Sequence, residues 1–286
     1  MTMPMSAVPA SAPSLGALLR EWRRRRHLSQ LALALEADVS QRHLSFVESG
    51  RAQPSREMVL RLAEHLQMPL RERNRLLLAA GYAPMYAERS LDDPALAAAR
   101  DAVQRVLAGH EPYPALAVDR HWNLVAANDA VAPMLAGAAP ELLAPPVNVL
   151  RLSLHPDGLA PRIVNLAQWR AHLLERLHQQ VLASTDPALG ALHAELAALP
   201  APRQPAGHPP SIADDGAGVF VPLQLATDAG VLTFLSTTTV FGTPVDVTLA
   251  ELALECFFPA DAATARALGA TAADAAPEGR MTPCSQ

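Results

Sequence analysis

Apolar positions recur every three or four residues through the first 80 residues of the chain, which is the spacing of one face of a helix. Serines stand where they can cap helix N-termini, and glycines follow two of the segments. The pattern predicts five helices, at residues 15–26, 29–37, 40–49, 55–66 and 70–80. In the second helix, Leu31 and Leu35 are expected to face inward.

Beyond residue 82 the pattern becomes a mixture of short strands and helices. Prolines mark residues 82–112 as a linker that contains one helix. Helices are predicted at 94–109, 166–182 and 248–256, a Pro-rich loop at 200–210, and two hairpins from strands 115–118 and 124–127 and from strands 219–225 and 231–239. Hairpins separated by helices favour a small antiparallel sheet with helices on one face, of the α+β class.

Charge is divided unevenly along the chain. Residues 1–90 carry 13 Arg against 8 acidic residues, whereas residues 91–286 carry 10 against 20. This asymmetry indicates that the N-terminal part meets a polyanion, although chance variation of surface charge is the alternative. Cys256 and Cys284 form neither a paired metal motif nor a disulfide framework, which fits a reducing compartment. With no signal peptide or membrane-spanning pattern, a cytoplasmic protein without a membrane partner is predicted.

Residues 29–50 have the layout of a helix-turn-helix, in which a short helix and a tight turn precede a helix that enters the DNA major groove. The first turn of that last helix presents Gln41 and Arg42, whose side chains suit adenine and guanine edges. The candidate DNA contacts are Ser29, Gln30, Ser40, Gln41, Arg42, His43, Ser45, Arg51, Ser55 and Arg56. An ordinary exposed helix surface is the alternative for each, and the arginines at 23–26 are either phosphate contacts or a solvated face.

The sequence LSQLALALEADVSQRHLSFVESGRAQPS resembles the helix-turn-helix of the xenobiotic-response-element family of bacterial regulators. The resemblance covers about residues 15–80, and Asp38 stands at a turn position where that family often has glycine. Residues 147–177 and 236–261 resemble the PAS-like ligand-binding domain of MmyB-like regulators. This second resemblance implies a pocket for a small effector, for which a fatty-acid-like molecule is one candidate.

The expected fold class is therefore an all-α five-helix helix-turn-helix domain followed by an α+β PAS-like domain. The predicted organisation is a disordered tail at 1–14, the helix-turn-helix domain at 15–81, the linker at 82–112, the ligand-binding domain at 113–260 and a C-terminal tail at 261–286.

An apolar pocket is expected between the two hairpins and helix 166–182, because few aromatic residues are available to fill that space. Trp169 is a candidate for its lining, with an ordinary core position as the alternative. Arg151, Asn165 and Arg170 are candidates to hold the effector's head group, and an arginine would suit a carboxylate.

Three classes of function compete. The first is a ligand-responsive regulator that binds a double-stranded DNA operator as a homodimer, because one recognition helix reads too few base pairs for specificity. The second is an enzyme or metabolite-binding protein that carries a basic helical domain, and the third is a protein-interaction adaptor. No HExxH, CxxC or nucleophile-elbow pattern supports an enzyme, so we expect a regulator that is not an enzyme and uses no cofactor or metal.

Overall fold

The computed structural model describes residues 13–184, 186–200 and 220–269. These residues form two compact units. The first contains the chain up to Arg89 together with residues 243–250, and the second contains residues 90–242 and the chain from Glu251 onward. Cys284, nearly all of the predicted N-terminal tail, and most of the predicted Pro-rich loop and C-terminal tail lie outside the described residues.

The first unit begins with the five helices that the sequence predicts, and each ends within two residues of its expected bounds. They are α1 (Leu15–Arg25), α2 (Gln30–Glu36), α3 (Gln41–Glu48), α4 (Arg56–His65) and α5 (Leu70–Ala79). The serine before each of the first four helices accepts a hydrogen bond from a backbone amide of the first turn, so the predicted capping is confirmed.

The inward face of α2 differs from the prediction. Leu31 and Leu35 are exposed, at 51% and 74%, whereas Leu33 and Ala34 are buried. In the run LALAL apolar residues lie on more than one face of this short helix, so periodicity alone does not choose between them. The choice is made by packing, because Leu33 and Ala34 join the core shared with α1, α3 and α4.

The segment between the last two strands of the protein also belongs to the first unit. It contains the short helix α10 (Val247–Ala250). Asp246, which is 2% exposed, accepts a hydrogen bond of 2.9 Å from Arg89, and the backbone amide of Val247 donates to Ala87. A segment distant in sequence is thus fixed to the end of the helical domain by a buried carboxylate.

The second unit is built on one antiparallel sheet of five strands in the order β2-β1-β5-β4-β3. The strands are β1 (Ala115–Val118), β2 (Leu124–Ala127), β3 (Leu223–Thr227), β4 (Gly230–Val240) and β5 (Ala253–Pro259). The helices are α6 (Ala97–Gly109), α7 (Val149–Leu154), α8 (Leu166–Ala183), α9 (Pro187–Ala198) and α11 (Ala262–Ala267). Both predicted hairpins are confirmed, although β3 begins later than expected. The architecture is the predicted α+β class.

The helix predicted at residues 248–256 is wrong. Only α10 is helical, and the chain continues as β5, the central strand of the sheet. Strand β5 pairs with β1 on one side and with β4 on the other. These hydrogen bonds join residues far apart in sequence and outweigh the local preference of an Ala- and Leu-rich segment for helix.

The two faces of the sheet pack against different helices. Leu254 and Cys256 of β5 face α6, where they form a small core with Val103 and Leu107. Because side chains alternate along a strand, the neighbouring Glu255 and Phe257 point to the opposite face. That face contains the main core of the unit, to which α7, α8 and α9 all contribute residues.

Candidate functional site

The first turn of α3 presents the polar residues expected to contact DNA. Gln41 and Arg42 are exposed, and the Arg42 guanidinium lies 5.4 Å from the centroid of the Phe46 ring. His43 and Ser45 are half-buried on the same helix. No hydrogen bond or ion pair to another described residue engages the side chain of Gln41 or Arg42, so both are available to a partner.

The remaining candidate contacts surround this helix. Ser29, Ser40 and Ser55 are exposed at the N-termini of α2, α3 and α4, where their hydroxyl oxygens accept backbone hydrogen bonds. Backbone amides at helix N-termini favour anions such as phosphate. Arg51 and Arg56 are also exposed, and among the described residues neither guanidinium has an ion-pair partner.

The tight turn before α3 has the geometry that its sequence position requires. Asp38 adopts a left-handed backbone conformation with φ of 52°. Glycine enters this region without steric cost, and aspartate is among the few other residues enriched there. The aspartate therefore keeps the turn that the glycine of the related regulators would form.

A buried carboxylate holds α3 against α1 and α2. Glu48 is 3% exposed and accepts hydrogen bonds from Arg23 at 2.7 and 3.0 Å and from Gln30 at 2.7 Å. Burial would raise the pKa of Glu48, but the hydrogen bonds from Arg23 and Gln30 and the charges of Arg23 and Arg20 hold it below its ordinary value. The amide of Gln30, a candidate DNA contact, is thus also part of the scaffold of the recognition helix.

The arginines at positions 23–26 have separate roles. Arg23 binds Glu48 and the carbonyl of Leu28, and Arg26 donates to the carbonyls of Leu66 and Gln67. These guanidinium groups therefore join the helices of the first unit to one another, which neither of the two alternatives for this run anticipated.

A cavity lies in the second unit where the sequence predicts one, between the sheet and α8. It encloses about 90 Å³, and its lining is almost entirely apolar. Leu116 of β1, Leu223 of β3 and Phe257 of β5 lie on the sheet side, while Val149 of α7 and Leu173 of α8 lie on the helix side. The expected pocket is confirmed in position.

One corner of the cavity is polar and contains an ion pair. Arg176 of α8 donates to both carboxylate oxygens of Glu255, at 2.6 and 3.1 Å, and to Oγ1 of Thr238 at 2.7 Å. Thr238 in turn donates to Glu255. The Arg176 guanidinium also lies 4.5 Å from the centroid of the Trp122 ring, a cation–π distance. Glu255 itself is 4% exposed.

An open groove adjoins this corner and contains about 450 Å³. Arg176 and Ser236 line both the cavity and the groove, so they separate the two spaces. His172 and Phe220 line the groove only. Burial and the charge of Arg176 lower the pKa of His172 from its ordinary value.

Of the four residues expected to contact an effector, only Trp169 lines the cavity. Arg151 forms an ion pair of 2.6 Å with Glu195, and Arg170 donates to backbone carbonyls at the end of α9. Asn165 binds the backbone of Pro222 and Gln224. These contacts join the three side chains to Glu195, to the end of α9 and to the backbone beside β3, and none of the three lines the cavity.

The polar residues of the cavity, Arg176 and Glu255, were not identified from the sequence. A signal for Arg176 exists, because it follows Trp169 by seven residues and Leu173 by three and so lies on the same helical face. Glu255 was hidden by the helix predicted there, since only a strand places it on the face opposite Leu254 and Cys256.

Two negative findings apply to the part of the chain that the structure describes. No helix there is long and apolar enough to cross a membrane. No group of three or more His, Cys, Asp or Glu side chains there is placed to hold a metal ion.

Comparison with known families agrees with this architecture. Residues 19–73 match a helix-turn-helix family, and residues 99–270 match the MmyB-like transcription regulator ligand binding domain. Both families are regulatory rather than enzymatic. A search of curated proteins finds no match for the chain. The first unit exposes the recognition helix of its helix-turn-helix, the second contains a cavity, and the match to the ligand-binding family covers more than half of the chain. The chain therefore belongs to the MmyB-like transcription regulators, DNA-binding proteins with a ligand-sensing C-terminal domain.

Proposed function

We propose that the protein reads its operator with Gln41 and Arg42 in the major groove and responds to a small apolar or amphiphilic effector in the cavity beside Trp169. The exposed and unpaired first turn of α3 supports the first half of this proposal. The apolar cavity of the second unit supports the second half. Arg51, Arg56 and the serines at the helix N-termini would hold the phosphate backbone and position α3.

The protein acts as a homodimer in this proposal. A single recognition helix contacts only a few base pairs, whereas two copies related by a two-fold axis read two half-sites. The half-sites are expected about 10–10.5 base pairs apart or at a multiple of that spacing. A footprint over a single half-site, together with a monomeric mass at the binding concentration, would exclude the dimer.

The size of the cavity limits what it can hold. Its volume of about 90 Å³ is smaller than that of a cavity of roughly 150 Å³ that binds benzene. A short-chain molecule fits this space, whereas a fatty-acid-like chain requires the cavity to join the groove beyond Arg176 and Ser236. An effector of either length would contact Trp169 and the leucines of the lining.

The chain on either side of residues 243–250 connects the two units. After β4 it contributes residues 243–250 to the DNA-binding unit and then returns as β5, which carries Glu255 and Phe257 into the cavity. We propose that an effector shifts the protein between two conformations because its affinity for the two differs.

The experiment combines effector recovery with a blocked cavity. Small molecules released from the denatured full-length protein are identified by mass spectrometry and added back, and melting temperature and operator affinity are measured. Ser236→Phe places a ring in the cavity mouth, and Thr237→Phe is the matched control because it points to the opposite face of β4. We expect the effector to raise the melting temperature of wild type and the control but not of Ser236→Phe. Equal effects on all three proteins would refute the cavity as the effector site.

A further inference from the structure

We infer that the effector is uncharged and donates a hydrogen bond to Glu255, so that anions such as carboxylates are excluded from the cavity. This inference rests on the proposed function, because it describes the ligand of the same site. It concerns the polar corner made by Arg176, Glu255 and Thr238, none of which was predicted from the sequence to contact an effector.

The hydrogen bonds at Glu255 leave one acceptor position open. An ionised carboxylate has about four lone-pair sites. Oε1 accepts from Nη2 of Arg176 and from the hydroxyl of Thr238, and Oε2 accepts from Nη1 of Arg176. Among the described residues, nothing else donates to Oε2. Glu255 lines the cavity, and we assign this open position to a donor on the effector.

The charges in the cavity are already balanced. Arg176 and Glu255 neutralise each other, and Arg176 is held further by Thr238 and by the face of Trp122. A carboxylate on the effector would bring a second negative charge beside Glu255 in a largely desolvated site, where like charges repel strongly. An ammonium group would meet the same difficulty with Arg176. A neutral group avoids both.

The chemistry of the corner favours a hydroxyl or an amide. Such a group donates to Oε2 of Glu255 and also accepts a hydrogen bond, for which the serines at positions 153 and 236 of the lining offer hydroxyls. The rest of the lining is apolar and suits a short hydrocarbon chain. The effector class is therefore a small neutral alcohol or amide with an apolar body.

The test compares three probes of equal chain length, butan-1-ol, butanoate and butylamine, on the full-length protein at pH 7.5. Saturable changes in melting temperature and in tryptophan fluorescence give the affinities, since Trp122 and Trp169 line the cavity. We expect butan-1-ol to bind wild type at least ten times more tightly than either charged probe. Ser236→Phe should remove the response and so separates the cavity from weaker sites.

The second arm of the test asks whether removing the charge of Glu255 reverses the preference between the neutral and the anionic probe. Glu255→Gln leaves Arg176 as the only charge in the corner, so we expect butanoate to bind this variant more tightly than butan-1-ol. Glu195→Gln is the matched control, because it removes the carboxylate of the Arg151 pair outside the cavity and should keep the wild-type order. If Glu255→Gln does not fold, the order of the three affinities for the wild-type protein tests the inference by itself. Butanoate binding wild type as tightly as butan-1-ol overturns the neutral effector but not the cavity site, whereas no saturable binding of any probe overturns both.

Discussion

The buried carboxylate of Glu48 allows a demanding test of how the recognition helix is held. Glu48→Ala removes the acceptor of two hydrogen bonds from Arg23 and one from Gln30. The side chain of Arg23 is only 12% exposed, so its charge would be left largely buried without a counter-ion, with the carbonyl of Leu28 as a remaining hydrogen-bond acceptor.

Breaking a buried ion pair by removing one partner typically costs about 3–5 kcal/mol. A small domain is stable by only about 5–15 kcal/mol, so this loss would remove a large share of the stability of the first unit. At roughly 4 °C or more for each kcal/mol in a domain of this size, its melting temperature should fall by at least about 12 °C. The pKa of Glu48 is lowered in the folded protein, so its contribution is present above the ordinary value of 4.5 and is lost as pH falls through the lowered value.

Hydrogen exchange of the full-length protein, read on peptides that cover α3, measures this loss without isolating the unit. Glu21→Ala is the matched control, because Glu21 is half exposed and pairs with Arg25 within α1. Such a pair on a helix surface contributes about 0.2–0.5 kcal/mol to stability. If Glu48→Ala destabilises α3 no more than Glu21→Ala does, then the buried network does not hold the recognition helix and the reasoning fails.

Three further predictions concern the two units. Arg42→Ala and Gln41→Ala should each weaken binding to an operator selected from random DNA by about 1–3 kcal/mol and relax the base preference at one position. If neither variant changes binding to the selected operator or to random DNA, α3 does not lie in the major groove. Arg51→Ala should weaken binding to the selected operator and to random DNA equally. It should also reduce the slope of log binding constant against log salt concentration by about one, as measured by titration at several salt concentrations. Gly158→Ala should lower the melting temperature of the second unit, because the added Cβ would lie 2.2 Å from the carbonyl oxygen of Leu152.

The five helices at the start of the DNA-binding unit could be predicted from the sequence almost completely, whereas the membership of residues 243–250 in that unit could not. The five helices are local structures with helical periodicity and serine caps, so each can be recognised in a window of about ten residues. The exposed position of Gln41 and Arg42 follows from the same periodicity, because Leu44 and Val47 occupy the buried face. What periodicity could not decide was the face of α2, where Leu33 rather than Leu31 and Leu35 reaches the core.

The sensor site depended on contacts that no local pattern contains. The sequence determined the two hairpins and the helix that carries Trp169, and from them the position of the cavity. Only the tertiary structure made residues 253–259 the strand that joins the hairpins, because its hydrogen bonds come from β1 and β4, more than ten residues away along the chain. That strand sets which side chain faces which side, and so it places Glu255 against Arg176. The polar chemistry of the cavity was therefore decided by long-range pairing, as was the wall that Phe257 of β5 forms, whereas the walls from the two hairpins and α8 could be predicted from the sequence.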